Sequence, residues 1–438
     1  MESEQCEAGG LEQTISGAEA RKKPLLSKLL LTFLFAMILA NIAGNMYSGI
    51  LPLYLKSLGA SAAQIGLFFT LFQILPLILQ ILGGWISDSL GRLRSIAMGS
   101  MAGVLSYVGL ILAPTWQWVF AGESLGAITR SLIGPSFGAF IAEESAEENR
   151  ARVYGITQTI FLVVNVIGPP LGGWLVDSYG FTTMLIVAAV IYTSATIIRI
   201  SMAKRAAAHE QETAEGKLTL RSLKSNLGAM LTIMISGGLV TWLLLTDGVR
   251  DIAFSLSFTY IPLYVEQFGG LSTTQIGWLT SIFGIASMLV NTPAGWLADK
   301  KGERINIVIG FILQFIALLI FVRVDTFLEY CIVWALFGLG IGLMQPAYQS
   351  LLSKVLPKKL RGTGFGLIQS SLGLFSLPAP YVGGYIYENV SPKLPFLITA
   401  WASLVAVVPA WLKFKLPEKT KNIEVENSPI PPSGEDEN

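Results

Sequence analysis

Charged residues are scarce in this 438-residue sequence, in which Lys, Arg, Asp and Glu together make up 13%. A soluble domain carries about a quarter of its residues as charged side chains. Hydrophobic residues make up 52% of the chain, and its mean hydropathy is +0.59. This deficit of charge excludes an ordinary soluble protein and indicates an integral membrane protein.

Cysteine and histidine, which supply most metal sites and many catalytic centres, are almost absent. The chain has two cysteines, Cys6 and Cys331, and one histidine, His209. Two cysteines, one in a tail and one in a helix, indicate neither a disulfide framework nor a metal site. The sequence also lacks the glycine-rich loop that binds ATP phosphates. We therefore expect no enzyme activity, no metal, no cofactor and no ATP-driven transport.

Long apolar runs are abundant. A helix needs about 20 residues to cross the hydrocarbon core, and each run is close to this length. Continuous apolar runs of this length predict helices rather than barrel strands. The runs span 29–55, 62–86, 95–113, 117–142, 153–176, 182–202, 236–265, 273–298, 305–322, 328–353, 363–387 and 395–414. The sequence thus predicts an all-α membrane protein with twelve transmembrane helices.

Lys and Arg lie mainly on one side of the predicted bundle. If the N-terminus is cytoplasmic, 25 of the 30 fall in inner segments, Arg130 and Arg250 fall within spans, and only Lys56, Arg323 and Lys393 fall outside. Positive charge concentrates on the cytoplasmic side of membrane proteins. The polar first segment, 1–27, has neither the pattern nor the cleavage site of a signal peptide. We therefore predict a multi-pass protein of the plasma membrane with both termini in the cytoplasm.

Polar stretches divide the chain into five parts. The predicted parts are a cytoplasmic tail (1–28), a six-helix bundle (29–202), a cytoplasmic linker (203–228), a second six-helix bundle (229–416) and a disordered cytoplasmic tail (417–438). Disorder is expected in the last part because it is acidic, rich in proline and has almost nothing to bury.

The two bundles are copies of one unit. Segment 59–88 aligns with 270–299 at an offset of 211 residues, and the same offset pairs Pro135 with Pro346 and Pro169 with Pro380. The identical positions in the first segment are Gly59, Ser61, Gln64, Ile65, Gly66, Phe72, Ile74, Gly84, Trp85 and Asp88. An even number of helices per copy makes the halves parallel. Transporters of this architecture bind substrate between the halves, near the midplane.

A charged patch recurs between apolar runs of both halves, as GGWISDSLGRLR (83–94) and AGWLADKKGER (294–304). Its residues are Gly84, Asp88, Gly91, Arg92 and Arg94 in the first copy, and Gly295, Asp299, Gly302 and Arg304 in the second. The patch resembles the cytoplasmic motif of the major facilitator superfamily. The resemblance covers the membrane region, about 29–414.

This resemblance implies the major facilitator fold, alternating access and a cytoplasmic latch formed by the two loops. In such a latch Asp88 would face the start of the eleventh helix near Thr363. Arg92 would reach an acid at the end of the fourth helix, for which Glu143 is the candidate. The second copy departs from the pattern, because Glu303 stands at the position of Arg92.

Two further stretches resemble the drug/proton antiporter branch of that family. In the fourth span, RSLIG (130–134) resembles an Arg-x-x-x-Gly motif associated with proton coupling, and Glu123 lies two turns before Arg130 on about the same face. In the fifth span the antiporter-like residues are Gly155, Gly168, Pro169, Gly172 and Gly173, whereas Val164 replaces the motif's second glycine. The resemblance implies exchange of substrate against protons.

The seventh span carries three charges, Asp247, Arg250 and Asp251. With Pro262 near the outer end, Asp251 would lie about 16 Å deeper, close to the bilayer middle. Spacing of four residues puts both carboxylates on one helix face, with Arg250 nearby. This trio is a candidate proton site. It is alternatively a static ion-pair cluster, or it lies at the cytoplasmic surface if the helix begins only near residue 252.

Uncharged polar residues inside the other spans are candidates for a substrate cavity. They are Asn41, Asn45, Gln73, Gln158, Asn165, Gln345 and Gln369. The predicted function is proton-coupled efflux of a small amphipathic compound. The alternatives are a symporter or uniporter for a sugar, organic acid or amino acid, and a transporter-like solute sensor. We expect a monomer in the lipid bilayer with a small-molecule substrate and protons as partners, and no nucleic acid.

Overall fold

The computed structural model describes residues 27–145, 150–207, 238–356 and 371–415, and these contain helices and no strand. The helices are α1 (Lys28–Ser48), α2 (Leu51–Ser57), α3 (Ala62–Leu90), α4 (Arg92–Ile111), α5 (Trp116–Glu144), α6 (Arg150–Ala207), α7 (Leu239–Phe258), α8 (Ile261–Gln267), α9 (Thr273–Lys301), α10 (Glu303–Phe321), α11 (Phe327–Val355), α12 (Ala379–Asn389) and α13 (Leu394–Lys413). Within the described residues, seven helices are long and apolar enough to cross a membrane.

The described helices lie in all twelve predicted spans, the eleventh of which is described only from residue 371, and the all-α architecture is confirmed. Helix α6 contains two spans, because Gly180 breaks it with φ 83° and ψ 168°. Helices α2 and α8 continue the spans of α1 and α7 after short interruptions, and each has a proline in its first turn. Proline is tolerated there because the first N–H groups of a helix have no partner within it.

The internal repeat dictates matching local structure in the two halves. Ser61 and Gln64 form a capping box at the start of α3, and Ser272 and Gln275 form the same box at the start of α9. Gly91 and Gly302 turn the chain with φ 87° and 88°, a region that favours glycine. Helix α4 therefore begins at Arg92, inside the charged patch, rather than at the predicted residue 95.

The halves meet along two helix pairs, α3 with α12 and α6 with α9. We call the end of the bundle that carries Arg92 and Glu303 the motif end, and the opposite end, with Lys56 and Glu388, the far end. Residues 208–237 lie outside the described residues, so the predicted linker (203–228) is described only as far as residue 207. Segments 1–26, 357–370 and 416–438 also lie outside them, and with these Thr363 and Gln369.

Glycines bring the halves into backbone contact near the far end. A Cβ added to Gly66 would lie 2.4 Å from the Pro380 carbonyl oxygen, and one on Gly277 would lie 2.4 Å from that of Pro169. These two contacts are equivalent under the repeat. Only glycine permits two backbones to approach this closely. The glycines at these positions therefore allow the two halves to close together at the far end.

The same helix faces separate toward the motif end. In α6, Gly155 lies eighteen residues, or five turns, before Gly173, so the two glycines lie on the same face of the helix. In α9, Gly295 lies eighteen residues after Gly277 and again on the same face. A Cβ on Gly155 or on Gly295 would meet no atom within 4 Å, whereas one on Gly173 would lie 2.3 Å from the Thr273 oxygen. Helices α6 and α9 thus touch at the far end and diverge from it.

Candidate functional site

A cavity of about 370 Å³ lies between the two halves, beneath the closed far end. Ser48, Pro52 and Gln73 line it from the first half, and Phe254 and Thr259 line it from α7 and the α7–α8 turn. Its other aromatic lining consists of Phe69, Phe258, Phe283, Phe321, Trp334 and Phe337. The size is that of a site for a drug-sized molecule, and the lining is apolar. We call it the central cavity.

The first-half carboxylate Glu123 forms a buried cluster with two neighbours. Tyr47 donates a hydrogen bond to its Oε1 at 2.8 Å, and Arg130 reaches its Oε2 at 3.4 Å. The Glu123 side chain is 2% exposed, whereas that of Arg130 is 48% exposed. Gly126 lies on the turn between them, and a Cβ there would be at ordinary contact distance, 3.5 Å, from Glu123 Oε2. We call Tyr47, Glu123 and Arg130 the Glu123 cluster.

The charges on α7 lie within the helix. Helix α7 is already formed at Leu239, eight residues or about 12 Å before Asp247. This removes the alternative in which the helix begins near residue 252. Arg250 donates from both Nε and Nη2 to Asp247 Oδ1, at 3.0 and 2.6 Å. Asp251 instead accepts a hydrogen bond from Ser376 Oγ at 2.9 Å.

The predicted trio therefore separates into an ion pair and a carboxyl group held by a neutral hydroxyl. A second cavity, of about 320 Å³, contains Asp247, Arg250 and Asp251 together with Gln345 and Tyr348. We call Asp251 and Ser376 the Asp251 cluster. Sequence spacing alone gave no basis for the division, because Ser376 comes from a distant part of the chain.

A third cavity, of about 350 Å³, lies at the junction of the halves and reaches the Asp251 cluster. It is lined by Phe72 and Gln73 from α3 and by Asp251 and Ser376 from the second half. The guanidinium of Arg130 lies over the Phe72 ring, 4.8 Å from its centroid. Gln73 also lines the central cavity, so the acidic and the aromatic parts of the site are adjacent.

The other candidate cavity residues divide into two groups. Gln345 lines the second cavity. Asn41 and Asn45 donate to carbonyl oxygens of their own helix, at Met37 and Asn41. Gln158 and Asn165 are exposed and are absent from the linings of these three cavities.

The sequence did not distinguish the aromatic lining of the central cavity. Phe283, Trp334 and Phe337 lie in runs that are apolar on every side, so no periodicity separates a cavity-facing ring from a lipid-facing one.

At the motif end the structure brings Arg92 and Glu143 together. Arg92 Nε lies 3.1 Å from Glu143 Oε1, and the two side chains are 26% and 57% exposed. Arg94 is exposed, and Arg304 donates to the Trp411 carbonyl oxygen at 3.1 Å while lying over its ring. The side chains of Asp88 and Asp299 are outside the described part of the structure, and the surroundings of Gly84 are not described either.

The second half contains the same ion pair with the charges exchanged. Lys354 Nζ lies 3.1 Å from Glu303 Oε1, and Ser350 donates to the same oxygen at 2.8 Å. Glu303 is 211 residues after Arg92, and Lys354 is 211 residues after Glu143. The departure from the motif at Glu303 is thus matched by a compensating cation on α11.

The glycine-rich motif of the fifth span packs α6 against two helices. A Cβ on Gly168 would lie 2.6 Å from the Asn45 Cβ, and one on Gly172 would lie 1.9 Å from the Met46 oxygen, both on α1. Gly173 and Pro169 contact α9 of the other half, as described above. Four of the five motif residues therefore permit close packing, whereas Gly155 faces open space.

Comparison with known proteins assigns the chain to one family. The sequence profile of the Major Facilitator Superfamily matches residues 33–271 and again residues 248–433. A multi-drug resistance efflux pump PmrA homolog of Lactococcus lactis is 26% identical over 373 residues, covering 83% of this chain and 89% of that protein. The multidrug resistance protein MdtG of Escherichia coli is 23% identical over 383 residues, covering 85% and 91%.

Solved structures share the fold at low sequence identity. A nucleoside transporter, NupG, superposes with a TM-score of 0.72 at 14% identity and covers 89% of this chain and 100% of its own. A D-xylose-proton symporter gives a TM-score of 0.66 at 15% identity, covering 90% and 98%. Identity this low supports the fold and says nothing about substrate.

Proposed function

The chain belongs to the major facilitator superfamily, and from this premise we propose that it exports a small amphipathic compound in exchange for protons. Membership makes it a multi-pass membrane transporter of small molecules rather than an enzyme. The observation that carries the finer proposal is the position of the Asp251 carboxyl group, which lies in the cavity that joins the two halves. The relative named as a multi-drug resistance efflux pump and the one named as a multidrug resistance protein support the export direction.

Proton exchange needs a carboxyl group that is stable both with and without its proton. The partner of Asp251 is a hydroxyl, which can donate to a carboxylate and accept from a carboxylic acid. Ionisable groups within membrane spans are costly and are usually functional. Asp247 is less suited, because Arg250 already donates two charge-assisted hydrogen bonds to one of its oxygens.

Glu123 and Arg130 form the second candidate step. The 3.4 Å contact between them is long, and half of the Arg130 side chain is exposed toward Phe72 and the junction of the halves. Protonation of Glu123 would remove the charge that holds Arg130. Arg130 would then be free to interact with the Asp251 side of the junction. Substrate in the central cavity would contact chiefly aromatic rings.

We propose that the motif end faces the cytoplasm, together with both termini. Exposed cations at this end include Arg94, Lys300 and Lys301, and the cytoplasmic side of a membrane protein is enriched in Lys and Arg. In this orientation the described conformation is closed to the outside. The conformational cycle would load substrate from the cytoplasm and release it after the far end opens.

The test uses inverted vesicles that are acidic inside, with a pH-sensitive dye as the readout. Lipophilic drugs, sugars, amino acids and organic acids are added one at a time. We expect a lipophilic compound to dissipate the gradient, and Asp251→Asn to slow this by about tenfold or more. Asp325→Asn is the matched control, because Asp325 is an exposed far-end residue and the chemical change is identical.

Two results decide against the proposal. If no compound dissipates the gradient although flux occurs in unenergised vesicles, the protein is a uniporter. If Asp325→Asn abolishes the response as completely as Asp251→Asn, the effect of Asp251→Asn is not specific to a proton site.

A further inference from the structure

At the far end, a carboxylate of the first half binds the start of a helix of the second half. Asp177, near the end of the first span of α6, accepts hydrogen bonds from the backbone N–H groups of Thr273 and Thr274 at 3.0 and 2.8 Å. The Thr274 hydroxyl donates to the same carboxylate at 2.6 Å. These N–H groups have no acceptor within α9, since they belong to its first turn.

The repeat places a second carboxylate in the equivalent position. Glu388 is 211 residues after Asp177, and its Oε2 accepts from the backbone N–H of Ala63 at 2.9 Å, at the start of α3 in the first half. The first half has Ala62 and Ala63 where the second has two threonines, so it offers no hydroxyl donor here. The two contacts therefore have the same design and unequal numbers of hydrogen bonds.

An ion pair stands beside them. Lys56 at the end of α2 lies 2.5 Å from Glu266 at the end of α8, and the side chains are 45% and 39% exposed. Exposed pairs of this kind contribute little, about 0–1 kcal/mol. A carboxylate that accepts from helix N-terminal N–H groups is favoured more strongly, because each hydrogen bond is charge-assisted and the helix dipole adds to it.

We propose that Asp177 and Glu388 are positioning residues that hold the two halves together at the far end, with Asp177 the stronger of the two. We call these residues and the helix starts that they bind the far-end latch. The inference deepens the proposed function, in that it names the contacts that must break before an exported compound can leave. Each carboxylate must exchange the helix N–H groups for water when the halves separate. A contact present in only one of two states shifts the equilibrium between them.

The test measures access to the central cavity from the far end. A single cysteine at Ser48, which lines that cavity, is introduced after Cys6→Ala and Cys331→Ala. A membrane-impermeant maleimide is added to the far-end side, with no substrate and no pH gradient. We expect Asp177→Asn to raise the labelling rate about tenfold, the factor that corresponds to 1.4 kcal/mol. Glu388→Gln should raise it less, about threefold, because it removes one charge-assisted bond.

A backbone variant tests the same contact without changing a carboxylate. Thr273 is the first residue of α9, where proline fits the helix but has no N–H to donate. The preceding Ser272 has φ −69° and ψ 161°, which a following proline permits. Thr273→Pro should therefore increase labelling of the cysteine. Ala62→Pro is the matched control, since the latch bond in that half comes from Ala63 and not from Ala62.

The outcomes separate the latch from the proposed function. Faster labelling in Asp177→Asn and Thr273→Pro, with Ala62→Pro unchanged, supports the latch whatever the vesicle assay shows. Unchanged labelling in both variants overturns it, even if proton-coupled export is found. Equal acceleration by Thr273→Pro and Ala62→Pro also overturns it, because the effect would then belong to any proline at a helix start.

Discussion

Glu303 is the more deeply buried carboxylate of the two ion pairs at the motif end. Its side chain is 5% exposed and that of its partner Lys354 is 26% exposed, whereas Arg92 and Glu143 are 26% and 57% exposed. Removing one partner of a buried pair leaves an uncompensated charge, which costs several kcal/mol, whereas a surface pair contributes about 0–1 kcal/mol. The two ion pairs thus occupy equivalent positions in the repeat but contribute unequally to the free energy of unfolding.

The first prediction follows from this difference. Glu303→Gln should lower the free energy of unfolding by about 1–3 kcal/mol, because the buried Glu303 side chain loses its charge-assisted contacts with Lys354 and Ser350. Glu143→Gln, the control at the equivalent pair, should lower it by less than about 1 kcal/mol. Thermal unfolding in detergent, followed by tryptophan fluorescence, measures both.

The charge-exchanged double variant completes this prediction. Glu303→Lys combined with Lys354→Glu recreates the polarity of the first half, and the Ser350 hydroxyl is able to accept from a lysine as well as donate to a carboxylate. The double variant should recover most of the free energy of unfolding that Glu303→Lys or Lys354→Glu loses alone. If the double variant is as unstable as the sum of the singles, the pair does not act as an ion pair.

Asp177 provides a prediction on pH. Partial burial raises the pKa of its carboxyl group, but hydrogen bonds from Thr274, Ser272 and Thr273 outweigh this and hold the pKa below its usual value of 3.8. A group with a lowered pKa contributes its stabilisation above the usual value and loses it as the pH falls through the lowered one. The far-end latch should therefore remain intact at every physiological external pH.

The measurement is the ratio of labelling rates of the cysteine at Ser48 in Asp177→Asn and in the parent. A ratio removes the pH dependence of the maleimide reaction. We expect it to stay constant from about pH 8 to pH 5 and to approach one only below about pH 4. A ratio that falls already between pH 7 and pH 5 would mean that Asp177 titrates there and that its hydrogen bonds do not hold it ionised.

Side-chain partners were the part of the site that the sequence could not supply. Spacing predicted that Arg250 lies near both Asp247 and Asp251, but it did not predict that Arg250 binds only Asp247. Asp251 instead accepts a hydrogen bond from Ser376, which lies 125 residues further along the chain. The seven-residue spacing of Glu123 and Arg130 was sufficient, because both lie on one helix.

At the scale of the helix, the sequence predicted existence and order well and facing poorly. The twelve runs and the duplicated caps follow from length and from the repeat. Which side of each helix faces lipid does not follow, because a lipid-exposed leucine and a buried leucine are chemically the same. Leu30 is 1% exposed and Leu31 is 50% exposed, although they are neighbours in one run. Only glycines indicate a close contact, because small residues concentrate where membrane helices touch.

Two glycines of α9 give a prediction at this scale. A Cβ at Gly277 would lie 2.4 Å from the Pro169 carbonyl oxygen in the other half, so Gly277→Ala forces the halves apart at the far end. It should accelerate labelling of the cysteine at Ser48 and destabilise the protein by about 1–3 kcal/mol. Gly295→Ala is the matched control, because a Cβ there meets nothing within 4 Å and alanine favours the helix by about 1 kcal/mol.

These two variants are distinguishable from a general effect of alanine. Gly277→Ala should lower the free energy of unfolding, whereas Gly295→Ala should leave it unchanged or raise it. If both variants destabilise the protein equally, the close approach at Gly277 does not hold the far end closed.

At the scale of the whole molecule, the two halves share a backbone design and differ in charge. Glycine contacts, capping boxes and far-end carboxylates repeat at an offset of 211 residues. The ionisable groups within the membrane do not repeat, since the counterparts of Glu123 and Arg130 are Trp334 and Ile341. A symmetric frame supports two equivalent conformations, whereas asymmetric charges allow protonation of one half to favour one of them.

The direction of transport depends on which side of the membrane the motif end faces, and this is the last prediction. Tyr179 at the far end is 62% exposed, and Lys301 at the motif end is also exposed. In a chain without other cysteines, an impermeant maleimide should label Tyr179→Cys in intact cells, and Lys301→Cys only after permeabilisation. This pattern places the closed far end outside, so that the cavity receives substrate from the cytoplasm and the latch controls its exit. The reverse pattern would make the same conformation open to the outside, and the proposed exporter would then be an importer.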